Sequence, residues 1–272
     1  MPITNISAFV DNTRKRDKRN KIFLSLVIFM SALTVVPIFF ILGKIIISGI
    51  GQINFDFFVK TSPDSLQAMT AISNHQTIPG GIANGITGTF IIVLMSSVMA
   101  IPAGLMIGVY LYENQGHRYS NILRSLSEIL QGIPSIVLGI ISYLWIVKNI
   151  TDGFSAFAGS IALSIMMLPL IIRSTEETLK MIPNEIREAA FAMGAPYHKI
   201  ILRILIPTGL SGLTTGILLS LSRVLGETAP LMMTALGNSA INYNITKPTS
   251  AVPLLIWEFY NDPNMVRLVW SS

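Results

Sequence analysis

No cysteine occurs in the chain, so disulfides and thiolate metal sites are excluded. Charge is scarce as well: Asp, Glu, Lys and Arg make up 12% of residues, against about 25% in an average globular domain. The GxxxxGK(S/T) loop that cradles nucleotide phosphates is missing, so the chain is not expected to be its own ATPase. The three histidines, His75, His117 and His198, are scattered through loop segments, and no metal site is expected from them. Neither paired carboxylates nor a nucleophile with its base stands out, which leaves a membrane enzyme without support. There is no internal repeat and no low-complexity tract.

What the sequence does have is long uncharged runs. Apolar residues form 51% of the 272, and they are bunched. Ile22–Gly43, Gly85–Tyr112, Ile129–Val147, Gly153–Ile172 and Ile204–Ser222 each lack Asp, Glu, Lys, Arg and His. A helix needs ~20 such residues to cross the hydrocarbon core of a bilayer. The expected fold is therefore all-α integral membrane, with five clear spans at about 22–47, 85–112, 126–147, 154–172 and 204–227. Residues 264–272 read as the opening turns of a sixth span that is truncated or missing. The first run is too long, and preceded by too many polar residues, for a cleavable signal peptide. A tail over 1–21 and a transmembrane domain over 22–272 follow.

The formal net charge of +5 points to membrane orientation rather than to nucleic acid, because Lys and Arg collect in cytoplasmic loops. Arg14, Lys15, Arg16, Lys18, Arg19 and Lys21 place the N-terminus inside. Alternation then puts 113–128 and 173–203 inside, and 48–84, 148–152 and 223–263 outside. Thirteen basic residues fall inside, against four outside. The outer segment 48–84 is expected to hold a short surface helix, and 238–263 to be a loop broken by Pro248, Pro253 and Pro263. Arg124 and Glu128 read as a surface pair one turn apart.

The inside loop 173–203 carries the sharpest pattern. Pro183 precedes a helix that Asn184 can cap, with Glu185 and Glu188 at its positive end. Ala189, Ala190, Ala192 and Met193 give a small apolar face, and Gly194 closes the helix where a positive φ is often needed. Glu188-Ala189-Ala190, three residues, Gly194, nine residues and Ile204-Leu205-Ile206-Pro207 resemble the EAA loop of ABC importer permeases, with Ile206 where Leu is usual. The resemblance implies a coupling loop over 183–207 that docks on a separate ATPase subunit. It also implies the MetI-like fold of type I importers.

The fifth span runs into Arg223-Val224-Leu225-Gly226-Glu227-Thr228-Ala229-Pro230-Leu231. A charge at mid-bilayer costs ~2.5–3.5 kcal/mol, so an intramembrane Arg–Glu couple needs a reason. At i, i+4 the two share a helix face and can pair. An Arg fork matches phosphate oxygens, while Glu227 can accept a hydrogen bond from a protonated phosphate, which sulfate at neutral pH cannot offer. Two readings fit: a place on the translocation path near the outer mouth, or a structural clasp at the outer interface. Pro134-Ser135 is either a kink whose hydroxyl lines the channel or a packing kink. Thr87, Thr89, Ser96 and Ser97 read as helix-packing residues.

The string Gly226–Leu231, with Arg223 before it, resembles the PstA family of phosphate importer permeases. So do Ala83–Thr89, Ile101–Gly104, Tyr110–Glu113 and Gly132–Gly139, over roughly residues 78–260. This resemblance implies a bacterial inner-membrane subunit whose substrate path includes Arg223, Glu227, Thr228 and Ser135. Its ATPase-coupling residues would be Glu188, Ala189, Ala190, Gly194 and Pro207. The implied partners are a second, PstC-like permease, two PstB-like ATPases that bind the ATP, a PstS-like external phosphate-binding protein and membrane lipid. No cofactor is expected in this chain. A permease for another oxyanion or small solute, or a phosphate-sensing membrane scaffold, remain alternatives.

Overall fold

The computed structural model describes the backbone of residues 6–74 and 76–272, with side chains from Arg16 onward. His75 and the side chains of Arg14 and Lys15 lie outside the described residues. The chain forms two units, residues 1–53 and 54–270. The first is a single helix, α1 (Ile6–Gly49), with Pro37 inside it. Its segment from Arg16 to Gly49 is long and apolar enough to span.

The second unit is built on two long helices, α4 (Ala83–Glu113) and α7 (Ala156–Lys180). Ahead of them come two short ones, α2 (Phe55–Val59) and α3 (Ser65–Ser73), where one was expected. Asn54 caps α2 by accepting the Phe57 N–H at 2.8 Å, and the Ser155 hydroxyl caps α7 at Ala158 in the same way. The two long helices meet along a stripe of small residues. Ser96, Ala100, Gly104 and Gly108 recur every fourth position and are buried. A methyl group on Gly104 would lie 2.7 Å from Ile171 Cγ2, and one on Gly108 2.5 Å from Thr175 Cβ. Nothing larger than glycine fits there without moving α7, the close approach that membrane helices use.

The second span matches its expected bounds closely, but the third and fifth do not run straight. The expected span 126–147 is α5 (Arg118–Gly132) followed by α6 (Ser135–Ser142) and a π-helical turn over Tyr143–Val147. The two halves are bent by 103°. Pro134 lacks an N–H and forces Ile133 out of the helical region, to ψ 131°. The expected span 204–227 begins earlier and ends sooner. It comprises α9 (Tyr197–Ile200), a π-turn over Ile201–Leu205, α10 (Ile206–Thr208) and α11 (Leu210–Leu225), bent by 72°. The break falls at Gly209, two residues after Pro207. The fourth span, expected over 154–172, continues to Lys180. Among the described residues three helices are thus apolar and long enough to cross a bilayer, or up to five if each bent pair counts as one span.

The segment 238–263 is not all loop. Pro253 sits in the first turn of α13 (Val252–Asn261), where a missing N–H costs nothing. Residues 264–272 contribute only the one-turn α14 (Val266–Val269). Met265 and Leu268 pack with Phe57, Ile78, Leu255 and Phe259 in a small cluster.

Candidate functional site

The expected coupling loop folds as a helix on a support. Pro183 holds an extended ψ of 135°, and α8 (Asn184–Ala192) starts immediately after it. Asn184 is therefore the first helical residue and not the cap, and among the described residues no side chain caps this end of α8. Gly194 ends the helix with φ +73°, its N–H donating to Phe191 O at 2.9 Å. No atom stands within 4 Å of the place a Cβ would take, so the φ alone asks for glycine. The expected flat face of alanines divides. Ala190 turns inward, 1% exposed, among Tyr112, Leu179, Ile182, Ile200 and Leu205. Glu188, Ala189, Ala192 and Met193 remain exposed, and Phe191, unnoticed in the sequence, joins them. Pro207 opens α10 behind the π-turn, in which the Ile206 N–H reaches back to Ile201 O.

An ion pair that the sequence hid fastens this helix to α4. Arg187 Nη2 donates to Glu113 Oε2 at 2.9 Å, and the Tyr197 hydroxyl donates to the same oxygen. The guanidinium also lies 5.8–5.9 Å from the ring centres of Tyr112, Phe191 and Tyr197. Glu113 is 7% exposed, so this is not a surface pair worth about 0–1 kcal/mol. The Arg187 side chain is 28% exposed, so breaking this part-buried pair costs less than the about 3–5 kcal/mol of a fully buried one.

A second network corrects the expected Arg124–Glu128 pair. Arg124 Nη2 instead donates to Glu176 Oε1 at 2.6 Å, and Lys180 Nζ reaches the same atom at 2.6 Å. A carboxylate 5% exposed on α7 outcompetes a solvated one on the same helix, since low dielectric strengthens the attraction. Arg124, Gln131, Pro169, Arg173, Glu177 and Lys180 line a cavity of about 220 Å³ beside it. In α13, burial pushes the Glu258 carboxyl above its ordinary value, beside Gly237.

The path residues are brought together only in part. Arg223 is exposed in the last turn of α11, which stops at Leu225. Gly226, at φ −99° and ψ 5°, turns the chain, so Glu227 does not share the helix face as expected. Among the described residues no ion pair includes Arg223 or Glu227. Thr228 leads into α12 (Ala229–Thr234), and its carbonyl accepts the Met232 N–H at 3.0 Å. Ser135 opens α6. These two helices touch: a methyl on Gly139, one turn past Ser135, would lie 2.7 Å from Pro230 Cα. Thr87 and Ser96 bond carbonyls of their own helix, whereas Thr89 accepts the Val252 N–H at 2.9 Å.

Bent apolar helices around a small-residue helix pair, with an exposed Gly-terminated helix following α7, define a multi-pass membrane protein. The family model of the binding-protein-dependent transport system inner membrane component matches residues 100–257. The phosphate transport system permease protein PstA of Xylella fastidiosa (strain Temecula1 / ATCC 700964) is 36% identical over 84% of this chain and 77% of its own. PstA of Yersinia pestis is 33% identical over 98% and 90%. A solved chain of the MetNI methionine ABC transporter, inward facing, is similar in fold (TM-score 0.51, 21% identity, 68% of this chain and 83% of that one). The chain belongs to the binding-protein-dependent inner membrane component family, in its PstA branch. As such it is a permease subunit of the inner membrane.

Proposed function

We propose that this chain forms the channel of an ATP-driven importer of inorganic phosphate and takes its energy from separate ATPase subunits. The observation that carries the reading is identity of 30–39% to proteins named phosphate transport permeases, most of it spread over the length of both chains. The exposed face of α8 supports the energy source: Glu188, Ala189 and Ala192 stand free on a helix fixed from behind by Ala190. ATP is bound by PstB-like partners, whose closure draws the coupling helices together. A PstC-like second permease completes the path, and a PstS-like protein delivers phosphate from outside. The N-terminus lies in the cytoplasm. Arg223 offers its fork to the anion at the outer mouth, with Glu227, Thr228 and Ser135 nearby in sequence or across the α6–α12 contact. Glu227, unpaired with Arg223, accepts a hydrogen bond from the P–O–H of protonated phosphate.

Hydrolysis of ATP by the complex reconstituted from this chain, its sister permease, ATPase and binding protein tests the reading. Phosphate-loaded binding protein is expected to stimulate it, and sulfate-loaded protein is not. A complex that assembles but ignores phosphate removes the substrate assignment.

A further inference from the structure

Coupling requires that a push on α8 reach the spans, and α8 has little grip of its own. Ala190 is its one buried side chain among the described residues, and a methyl group can slide. Arg187 lies on the same face, three residues before Ala190 and four before Phe191. It joins Glu113, the last residue of α4, through a directional 2.9 Å bond. Three rings from α4, α8 and α9 surround the guanidinium, and two of them, Phe191 and Tyr197, are stacked at 6.3 Å. Beyond Glu113, α4 lies against α7 with no slack at Gly104 and Gly108. A displacement at Glu113 is therefore passed on, since close-packed helices move as a body.

Resting on the function proposed above, we infer that Arg187 is the positioning residue that ties the coupling helix to α4 and delivers its movement to the membrane spans through Glu113. The buried carboxylate depends on this link. Glu113 Oε1 is buried without a hydrogen-bond partner, so only Arg187 and Tyr197 compensate the group. Losing Arg187 alone leaves the carboxylate with the Tyr197 hydroxyl as its one donor and no countercharge, which damages the fold as well as the coupling.

The double variant Arg187→Met with Glu113→Gln removes both charges and separates the two effects. In proteoliposomes holding the full complex, the double variant is expected to retain its ATPase on co-purification. Its solute uptake per ATP hydrolysed is expected to fall by about tenfold, within the usual range of inter-site coupling. Arg187→Lys keeps the charge but not the planar fork, and is expected to fall between it and wild type. Wild-type uptake per ATP in the double variant overturns the inference, because the pair would then serve folding alone. A wild-type complex that hydrolyses ATP without moving any solute overturns the proposed function and this link with it. That failure shows in the wild-type arm, and failure of the link shows only in the variant.

Discussion

Arg223 ends α11 exposed, and the turn at Gly226 removes the nearest carboxylate from its helix face. An unpaired guanidinium keeps its five donors for an anion, whereas a clasp would have spent them on Glu227. Arg223→Gln is expected to assemble normally and to lose uptake by about tenfold or more, the worth of a charge-assisted hydrogen bond at ~1.5–3 kcal/mol. Radiolabelled phosphate uptake measures it, and normal uptake would take Arg223 off the path. At this scale the sequence was legible where chemistry is local and opaque where it is not. The positive φ of Gly194 could be read from its place after the alanines. The partner of Arg187 could not, being 74 residues away, although a carboxylate closing the apolar run at Glu113 was in plain view. Arg124 misled for the same reason: spacing proposed Glu128, and burial chose Glu176, 52 residues distant.

Helices as elements were legible from uncharged length, and their bends were not. Hydropathy sums over a window and has no term for direction, so the Ile133-Pro134 and Pro207–Gly209 breaks passed as interior positions of spans. Pro253 misled the other way, since a proline weakens a helix in its middle but is welcome in its first turn. For α8 both ends were marked in the sequence, and that makes its C-terminus a clean place to intervene. Gly194→Asp meets open space, and Asp tolerates a positive φ better than most residues. The helix is therefore expected to persist and the chain to insert. The new carboxylate stands next to exposed Met193, at the face offered to the ATPase, and co-purification of the ATPase is expected to be lost. Undiminished binding would mean that this end of α8 lies outside the docking surface.

Across the second unit, the bonds sort the loops into two sets. Arg187–Glu113 and Arg124–Glu176 join segments 113–128 and 173–203, both assigned to the cytoplasm by their basic residues. Asn84 donates to Asn238 O at 2.9 Å, and the Ser155 N–H donates to Thr234 O at 2.9 Å. Those bonds join the three segments assigned to the outside, or their edges. Alternation of the spans is thus mirrored in contacts that the charge count never used. These contacts would be the same if the whole unit were inverted, so only an external probe fixes the sign. The absence of cysteine makes the probe simple, because a single introduced thiol is the only one present. Met181, just past the end of α7, and Tyr243, between α12 and α13, are 75% and 73% exposed. A membrane-impermeant maleimide is expected to label Tyr243→Cys in intact spheroplasts, and Met181→Cys only in inside-out vesicles. The reverse pattern would put α8 on the side of the membrane where no ATP is available, and the coupling assignment would fall together with the orientation.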